Sequence, residues 1–353
     1  MTRVIVCCDG LDPAYLDEVD TPGLDAIAAA GRAGTCESAI PSLTNVNNVS
    51  IATASPPAVH GITGNSYLDD GEVVYMEDPS YMRCDTRFQH LSAQGERVGA
   101  LVAKQKLERM ICRDCTVAAS AESPPTWLTE AVGPAPDIYS GEASAWLIDA
   151  GVHVLETRDL DWLYVSTTDV VPHKHAPGEE PATAWVEALD AGVAAMAELA
   201  SDIVVTADHG MSAKRDCIDL EAVLERQGYD TQVIRLIRDK HTYHHQNLGG
   251  AAYVYVANEG DREAVSDVLG GLDGIDLLLT RTEAADRFEL PADRIGDFLV
   301  LGTEPTVFGP VEDGETAAVE LRSHGSHHEQ AVPYVTSTGV TLATNYDAFA
   351  AFE

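Results

Sequence analysis

The chain has 353 residues, long enough for one large α/β core carrying a smaller insertion. Its 57 acidic side chains against 22 basic ones leave a formal net charge of -35. Such a field excludes nucleic acid and anionic membrane as partners, because both demand basic patches. Only five basic residues are lysines (Lys104, Lys106, Lys174, Lys214, Lys240), and an acid-rich, lysine-poor surface suits concentrated salt. At ~1 M salt the Debye length falls to about 3 Å, so self-repulsion is screened there. A halophilic source is therefore expected, with loss of activity on desalting as its check. The seven cysteines (Cys7, Cys8, Cys36, Cys84, Cys112, Cys115, Cys217) are odd in number and scattered, which fits reduced thiols rather than a disulfide framework. Cys112 and Cys115 form a lone CxxC, read as structural for want of a second pair.

In chain order, the first predicted element is strand Val4–Cys8, ending in Asp9. Its apolar run is too brief for a signal-peptide core, and no later run reaches membrane-spanning length, so a cytoplasmic location is expected. A helix near Leu24–Ala30 follows. The segment PSLTNVNNVSIATASPPAVHGITGN, positions 41 to 65, then leads through a proline turn into Thr44 and a helical stretch Asn45–Thr53. Strand Val98–Val102, a helix near Ser140–Ala150, strand Trp162–Ser166, helix Pro181–Leu199 and strand Ile203–Ala207 continue the rhythm. Each of these strands is apolar enough to be buried on both faces, which predicts an α/β fold with a mainly parallel central sheet flanked by helices.

The pattern changes after residue 239, to strand Ala251–Val256, helix Asp261–Leu269, strand Ile275–Leu279, helix Thr282–Phe288 and strand Asp297–Leu301. This predicts a metal-binding core over 1–239, an inserted α+β cap over 240–316, and a return to the core over 317–353 carrying His324.

Three apolar runs end in an aspartate: Asp9, Asp169 in LYVSTTDVVPH and Asp208 in IVVTADHG. Carboxyl ends of parallel strands line ligand crevices, although a single such Asp is equally well a helix N-cap. Here Asp169 and His173 are spaced DxxxH and Asp208 adjoins His209, so carboxylates and imidazoles would converge on a divalent metal, an oxygen and nitrogen set that suits zinc. His324 in RSHGSHHEQ supplies the imidazole for a second site. Thr44 at a helix N-terminus is either an ordinary cap or a hydroxyl placed where backbone N–H groups favour negative charge.

Asp9, SLTNVNNVSIAT, HGITGN, DxxxH, TADHGM and RSHG, in this order, together resemble the alkaline phosphatase superfamily, and within it the phosphonoacetate hydrolases. The resemblance spans most of the chain outside the insertion. It implies two divalent ions, zinc by ligand type, one held by Asp9, Thr44, Asp208 and His209 and the other by Asp169, His173 and His324. It implies Thr44 as the nucleophile that attacks phosphorus, through a phosphothreonine later cleaved by a zinc-activated water. Asn65 would donate to a phosphonyl oxygen, unless it is simply a turn residue after glycine. Lys104 and Lys106 fall where a KxK pair binds the substrate carboxylate, and two of five lysines there matter because the overall field repels an anion; otherwise they are a solvated pair. The partner so implied is a small anionic phosphorus compound, with a homodimer allowed. A phosphodiesterase or nucleotide pyrophosphatase with the same zincs stays open, as does a metal-binding homologue without catalysis. His175, His327 and His328 stand beside expected ligands and compete for their places; His241, His244 and His245 are left outside the site.

Overall fold

The computed structural model describes residues 2–239 and 245–353. Lys240, where the predicted insertion begins, and His241 and His244 lie outside the described residues. The central sheet has seven strands in the order Arg32–Glu37, Ala331–Thr336, Asp202–Thr206, Arg3–Cys7, Trp162–Ser166, Val98–Val102, Val117–Ser120. The last five run parallel, whereas Ala331–Thr336 is antiparallel to both of its neighbours. Four of these are the strands expected from apolar runs, their ends shifted by at most one residue, and the α/β architecture is the expected one.

Helices cover the sheet. In Glu180–Leu199 the buried residues Ala182, Trp185, Val186, Leu189, Val193 and Met196 recur at three- and four-residue intervals, the stripe of a helix with one face in the core. This helix approaches its neighbour Ala143–Thr157 closely: a Cβ added at Gly192 would come within 2.0 Å of the Ile148 side chain, and one at Gly151 within 2.3 Å of Met196. The helix expected near Ser140 starts instead at Ala143 and extends to Thr157, because the Tyr139–Ser140–Gly141 turn precedes it. Among the described residues no helix is long and apolar enough to cross a membrane.

Beyond residue 211 the chain leaves the main sheet. A four-stranded antiparallel sheet has the order Thr231–Arg235, Ala251–Val256, Phe298–Gly302, Ile275–Thr280, with helices Arg262–Gly270 and Arg281–Phe288 between its strands in sequence. Its first strand lies upstream of position 240. A three-stranded sheet, Thr306–Phe308, Ser212–Ile218, Thr316–Ser323, delivers the chain to His324.

One buried ion pair anchors that delivery. Lys214 is 1% exposed and Glu329 fully buried; the ammonium donates to Glu329 Oε1 at 2.8 Å and to the Glu304 carbonyl at 2.7 Å. Ser212 also donates to Glu329 Oε1, and the Ser326 N–H to its other oxygen at 3.0 Å. Because this carboxylate has no other cation among the described residues, Lys214→Met is expected to destabilise the fold by about 3–5 kcal/mol, the cost of stranding a buried charge. Denaturant midpoints at fixed salt check this, and Lys214→Met with Glu329→Gln is expected to recover part of the loss.

Candidate active site

Asp208, Asp9 and Asp169 follow three adjacent parallel strands, Asp202–Thr206, Arg3–Cys7 and Trp162–Ser166, whose last residues Thr206, Cys7 and Ser166 are in register. The pleat and the parallel pairing therefore bring three carboxylates to one edge of the sheet, all of them buried. Gly10 makes the turn after Asp9 with φ +74°, and any Cβ there would sit 3.0 Å from the Asp169 Cβ. Only glycine fits that approach without strain. Asp169 stands at the start of the short helix Val170–Lys174, yet its side chain makes no cap hydrogen bond; its Oδ2 lies 3.0 Å from Nε2 of His173, one turn on.

The three imidazoles are prepared alike. His173 Nδ1–H donates to the Arg322 carbonyl at 2.7 Å, His209 Nδ1–H to the Gly210 carbonyl at 2.9 Å, and His324 Nδ1–H to the Ser42 carbonyl at 2.7 Å. A carbonyl can only accept, so the proton of each neutral ring is fixed on Nδ1 and a lone pair is presented at Nε2. Those Nε2 atoms face oxygen: His209 lies 3.3 Å from Asp9 Oδ1, 3.8 Å from Asp208 Oδ2 and 3.2 Å from Thr44 Oγ1, and His324 lies 3.6 Å from Asp169 Oδ2. Lone pair against carboxylate is repulsive unless a cation stands between them. The spacings bracket the edge of about 3.3 Å expected between ligands of a tetrahedral ion with bonds near 2.0–2.1 Å.

Electrostatics agree. Burial raises the Asp9 carboxyl well above the usual range, and the Asp169 and Asp208 carboxylates raise it further. Burial alone would depress His209, but Asp208, Asp9 and Asp169 reverse that and lift it to about 10. The field that draws a proton onto this ring is the field that would hold a metal. His324, stacked on His209 with centroids 3.5 Å apart, is pushed well below its ordinary value by burial and by the neighbouring imidazoles of His209 and His173. Two buried groups, Asp9 with Asp208 and His209, and Asp169 with His209 and His324, each bring their ligand atoms within 4.8 Å of one another. The donor set fits divalent cations.

Thr44 opens the helix Thr44–Thr53 without being its cap: Leu43 holds that place, and among the described residues there is no side-chain cap hydrogen bond. The N–H groups of Thr44, Asn45 and Val46 precede the first helical bond, from Asn47 to Leu43, so they are left for another acceptor. The hydroxyl points instead at His209. Side chains of the same helix set the site: Asn48 donates to Asp208 Oδ2 at 3.0 Å and accepts from the Tyr164 hydroxyl at 2.6 Å, while Asn47 ties the helix to Ala39. His60 of HGITGN is bonded to the same helix; its Nδ1 accepts from the Ile62 N–H, which leaves Nε2–H to donate to Ser50.

A cavity beside Thr44 is lined by Asn45, Asn65, Lys104, Lys106, Asp169, His245 and His324, among others, so the predicted donors meet the predicted nucleophile. Asn65 donates one amide hydrogen to the Ile237 carbonyl at 2.9 Å, leaving a second. Lys106 is held by Asp239 at 2.8 Å and Glu77 at 4.0 Å. The two lysines also line an adjoining space of about 240 Å³ with Tyr139 and Arg109. Asn45, which the sequence reading passed over, is 2% exposed, and its amide nitrogen has no hydrogen-bond partner among the described residues.

His175 is turned to Glu179, and His327 and His328 to Asp276, so none of the three competing imidazoles enters the cluster. His245, left out in the sequence reading, is buried in the cavity wall. Asn48 and Tyr164 were also missed; the NVNNVS spacing, which repeats amides at one helical turn from Thr44, is the signal for Asn48.

The family model for type I phosphodiesterase / nucleotide pyrophosphatase matches residues 3–328. The chain is similar to the crystal structures of phosphonoacetate hydrolase from Sinorhizobium meliloti 1021 in complex with phosphonoacetate and with phosphonoformate, each at 37% identity and a TM-score of 0.91, covering 98% of this chain and 93% of that one. Murine ectonucleotide pyrophosphatase / phosphodiesterase 5, as an inactive variant in complex with AMP, shares the fold at 16% identity and a TM-score of 0.68, covering 99% of this chain and 93% of that one.

Proposed function

Because this chain belongs to the type I phosphodiesterase / nucleotide pyrophosphatase family of phosphorus-acting hydrolases, within the alkaline phosphatase superfamily, we propose that it cleaves the carbon–phosphorus bond of phosphonoacetate to give acetate and phosphate. The observation that carries this reading is the pair Lys104 and Lys106 in the wall of the Thr44 cavity, two cations in a protein of net charge -35. A substrate with a second anionic group at its far end has a use for them; a nucleotide would ask that wall for an apolar or aromatic slot.

In this reading Asp9, Thr44, Asp208 and His209 hold one zinc ion, and Asp169, His173 and His324 the other. Bound there, the ions supply charge neutralisation at the phosphonyl oxygens and depress the pKa of the Thr44 hydroxyl and of a water. Thr44 Oγ attacks phosphorus, forming the P–O bond of a phosphothreonine as the P–C bond breaks. The electron pair leaves on the acetate carbon as its enolate and takes up a proton. Water then cleaves the phosphothreonine, returning the Thr44 hydroxyl and releasing phosphate. The free N–H groups of the Thr44 helix, with the side-chain amides of Asn65 and Asn45, stabilise negative charge on the phosphonyl oxygens as it shifts. Lys104 and Lys106 grip the carboxylate.

A substrate panel tests the reading: phosphonoacetate, p-nitrophenyl esters of phosphate and phosphonate, and dinucleotides, assayed with added zinc at high salt. Phosphonoacetate is expected to have the highest kcat/KM. A preference for dinucleotides would replace this reading by the phosphodiesterase one, and zinc content without turnover of any of them would leave a metal-binding protein.

A further inference from the structure

Outside the catalytic cluster, one more group of ligand-type side chains converges among the described residues. Asp276 lies on Ile275–Thr280, the edge strand of the four-stranded sheet, at the point where the pairing with Phe298–Gly302 slips between Ile275 and Leu277. A bulge of this kind re-aims a side chain at the expense of ladder pairing. The re-aimed carboxylate faces two consecutive histidines on the turn His327–Glu329: its Oδ2 lies 2.9 Å from His327 Nε2 and 3.0 Å from His328 Nε2. The turn is rigid, because Glu329 is buried in its ion pair with Lys214 and closes a capping box with Ser326.

The proton position on His327 repeats that of the catalytic imidazoles, while His328 Nε2 is in hydrogen-bond contact with the same Asp276 oxygen. The Ser326 hydroxyl proton is committed to the Gly302 carbonyl at 2.9 Å, so in its 3.4 Å contact with His327 Nδ1 the ring must donate. The neutral ring then presents a lone pair, not a proton, to the Asp276 carboxylate. The two nitrogen–oxygen distances are a few tenths of an ångström short of the tetrahedral edge of about 3.3 Å, and all three atoms lie within 4.8 Å of one another, so they offer three corners of a zinc-type site on the exposed side of the turn.

We propose that Asp276, His327 and His328 bind a third divalent cation of the zinc class, which ties the four-stranded sheet to the turn following His324. This ion has no part in the reaction. It clamps the segment that carries His324 from the outside while Lys214 and Glu329 fix it from within.

The test is a metal count on tag-free protein, stripped with a chelator, reloaded with zinc or cobalt and passed through a desalting column. The unmodified chain is expected to retain one more equivalent than His327→Gln/His328→Gln, and than Asp276→Asn, with turnover at saturating zinc within about twofold of the original. Asp169→Asn, which damages the catalytic cluster, is expected to keep the peripheral equivalent, so that failure of the catalytic reading and failure of this one are distinguishable. Cobalt supplies a second readout, since the d–d absorption of Asp169→Asn is expected to fall by the contribution of one ion when the two histidines are also replaced. These histidines are at the surface, and far-UV circular dichroism confirms that the variants fold. Equal retained metal in the unmodified chain and in both peripheral variants, or an extra equivalent that washes out on desalting, overturns the proposal.

Discussion

Thr44→Ala is expected to lower kcat on phosphonoacetate by about 10⁴-fold or more, the scale on which removal of a nucleophile acts in enzymes with covalent intermediates. The bound metal is expected to stay, because Asp9, Asp208 and His209 remain on one side and Asp169, His173 and His324 on the other. The separation of these two effects follows from the geometry. Thr44 is the first residue of a helix whose remaining contacts, through Asn47, Asn48 and Ser50, do not involve its hydroxyl. Removing Oγ1 therefore deletes the attacking atom and leaves the helix in place. Thr44→Ser, which keeps the oxygen, is expected to retain far more activity than Thr44→Ala. Single-turnover assays with metal analysis decide the matter; an alanine variant within about tenfold of the original, with zinc retained, would show that another group attacks phosphorus.

The second large effect concerns selectivity. Each charge-assisted hydrogen bond lost costs about 1.5–3 kcal/mol, so replacing both Lys104 and Lys106 by methionine is expected to cut kcat/KM for phosphonoacetate by about 10²–10⁴-fold. For a p-nitrophenyl ester without a carboxylate the loss is expected to stay under about tenfold. The two lysines differ in what else depends on them. The Lys106 side chain is 12% exposed, and desolvation together with the Lys104 charge lowers its pKa against the pull of Asp239 and Glu77. Its removal takes a cation from those acids, and a lower melting temperature is expected alongside the kinetic loss. Lys104 forms no ion pair among the described residues, so Lys104→Met isolates the substrate term. Equal losses on both substrates would remove the carboxylate assignment.

Much of this site is written locally in the chain. Strands buried on both faces read as apolar runs, and the run ending in Asp9 lies between the other two that end in aspartate, so the crevice follows from the parallel order. The DxxxH pair is legible for the same reason, four residues being one turn of the helix that follows Asp169. What was not legible depends on distant partners. Ser212–Ile218 has the sequence SAKRDCI, whose charges argue for surface, yet Lys214 is buried because Glu329, 115 positions away, meets it. The hairpin Ser66–Asp69 with Glu72–Tyr75 was passed over, being only four residues to a strand. His327 and His328 were rivals of His324 on sequence, and only the bulge at Asp276 shows where they are directed.

The stitching of the segment around Ser42 to the one around His324 has a bearing on how activity is acquired. The Ser42 carbonyl accepts from His324, its hydroxyl donates to the Ser326 carbonyl at 2.7 Å, and the Gly325 N–H returns a bond to that hydroxyl. Partners 282 positions apart are among the last contacts a chain can close, since everything between them must first be brought into place. Turnover should accordingly lag behind ellipticity during renaturation, and an amino-terminal fragment that contains Thr44 and all three aspartates should remain inert until the last ninth of the polypeptide docks.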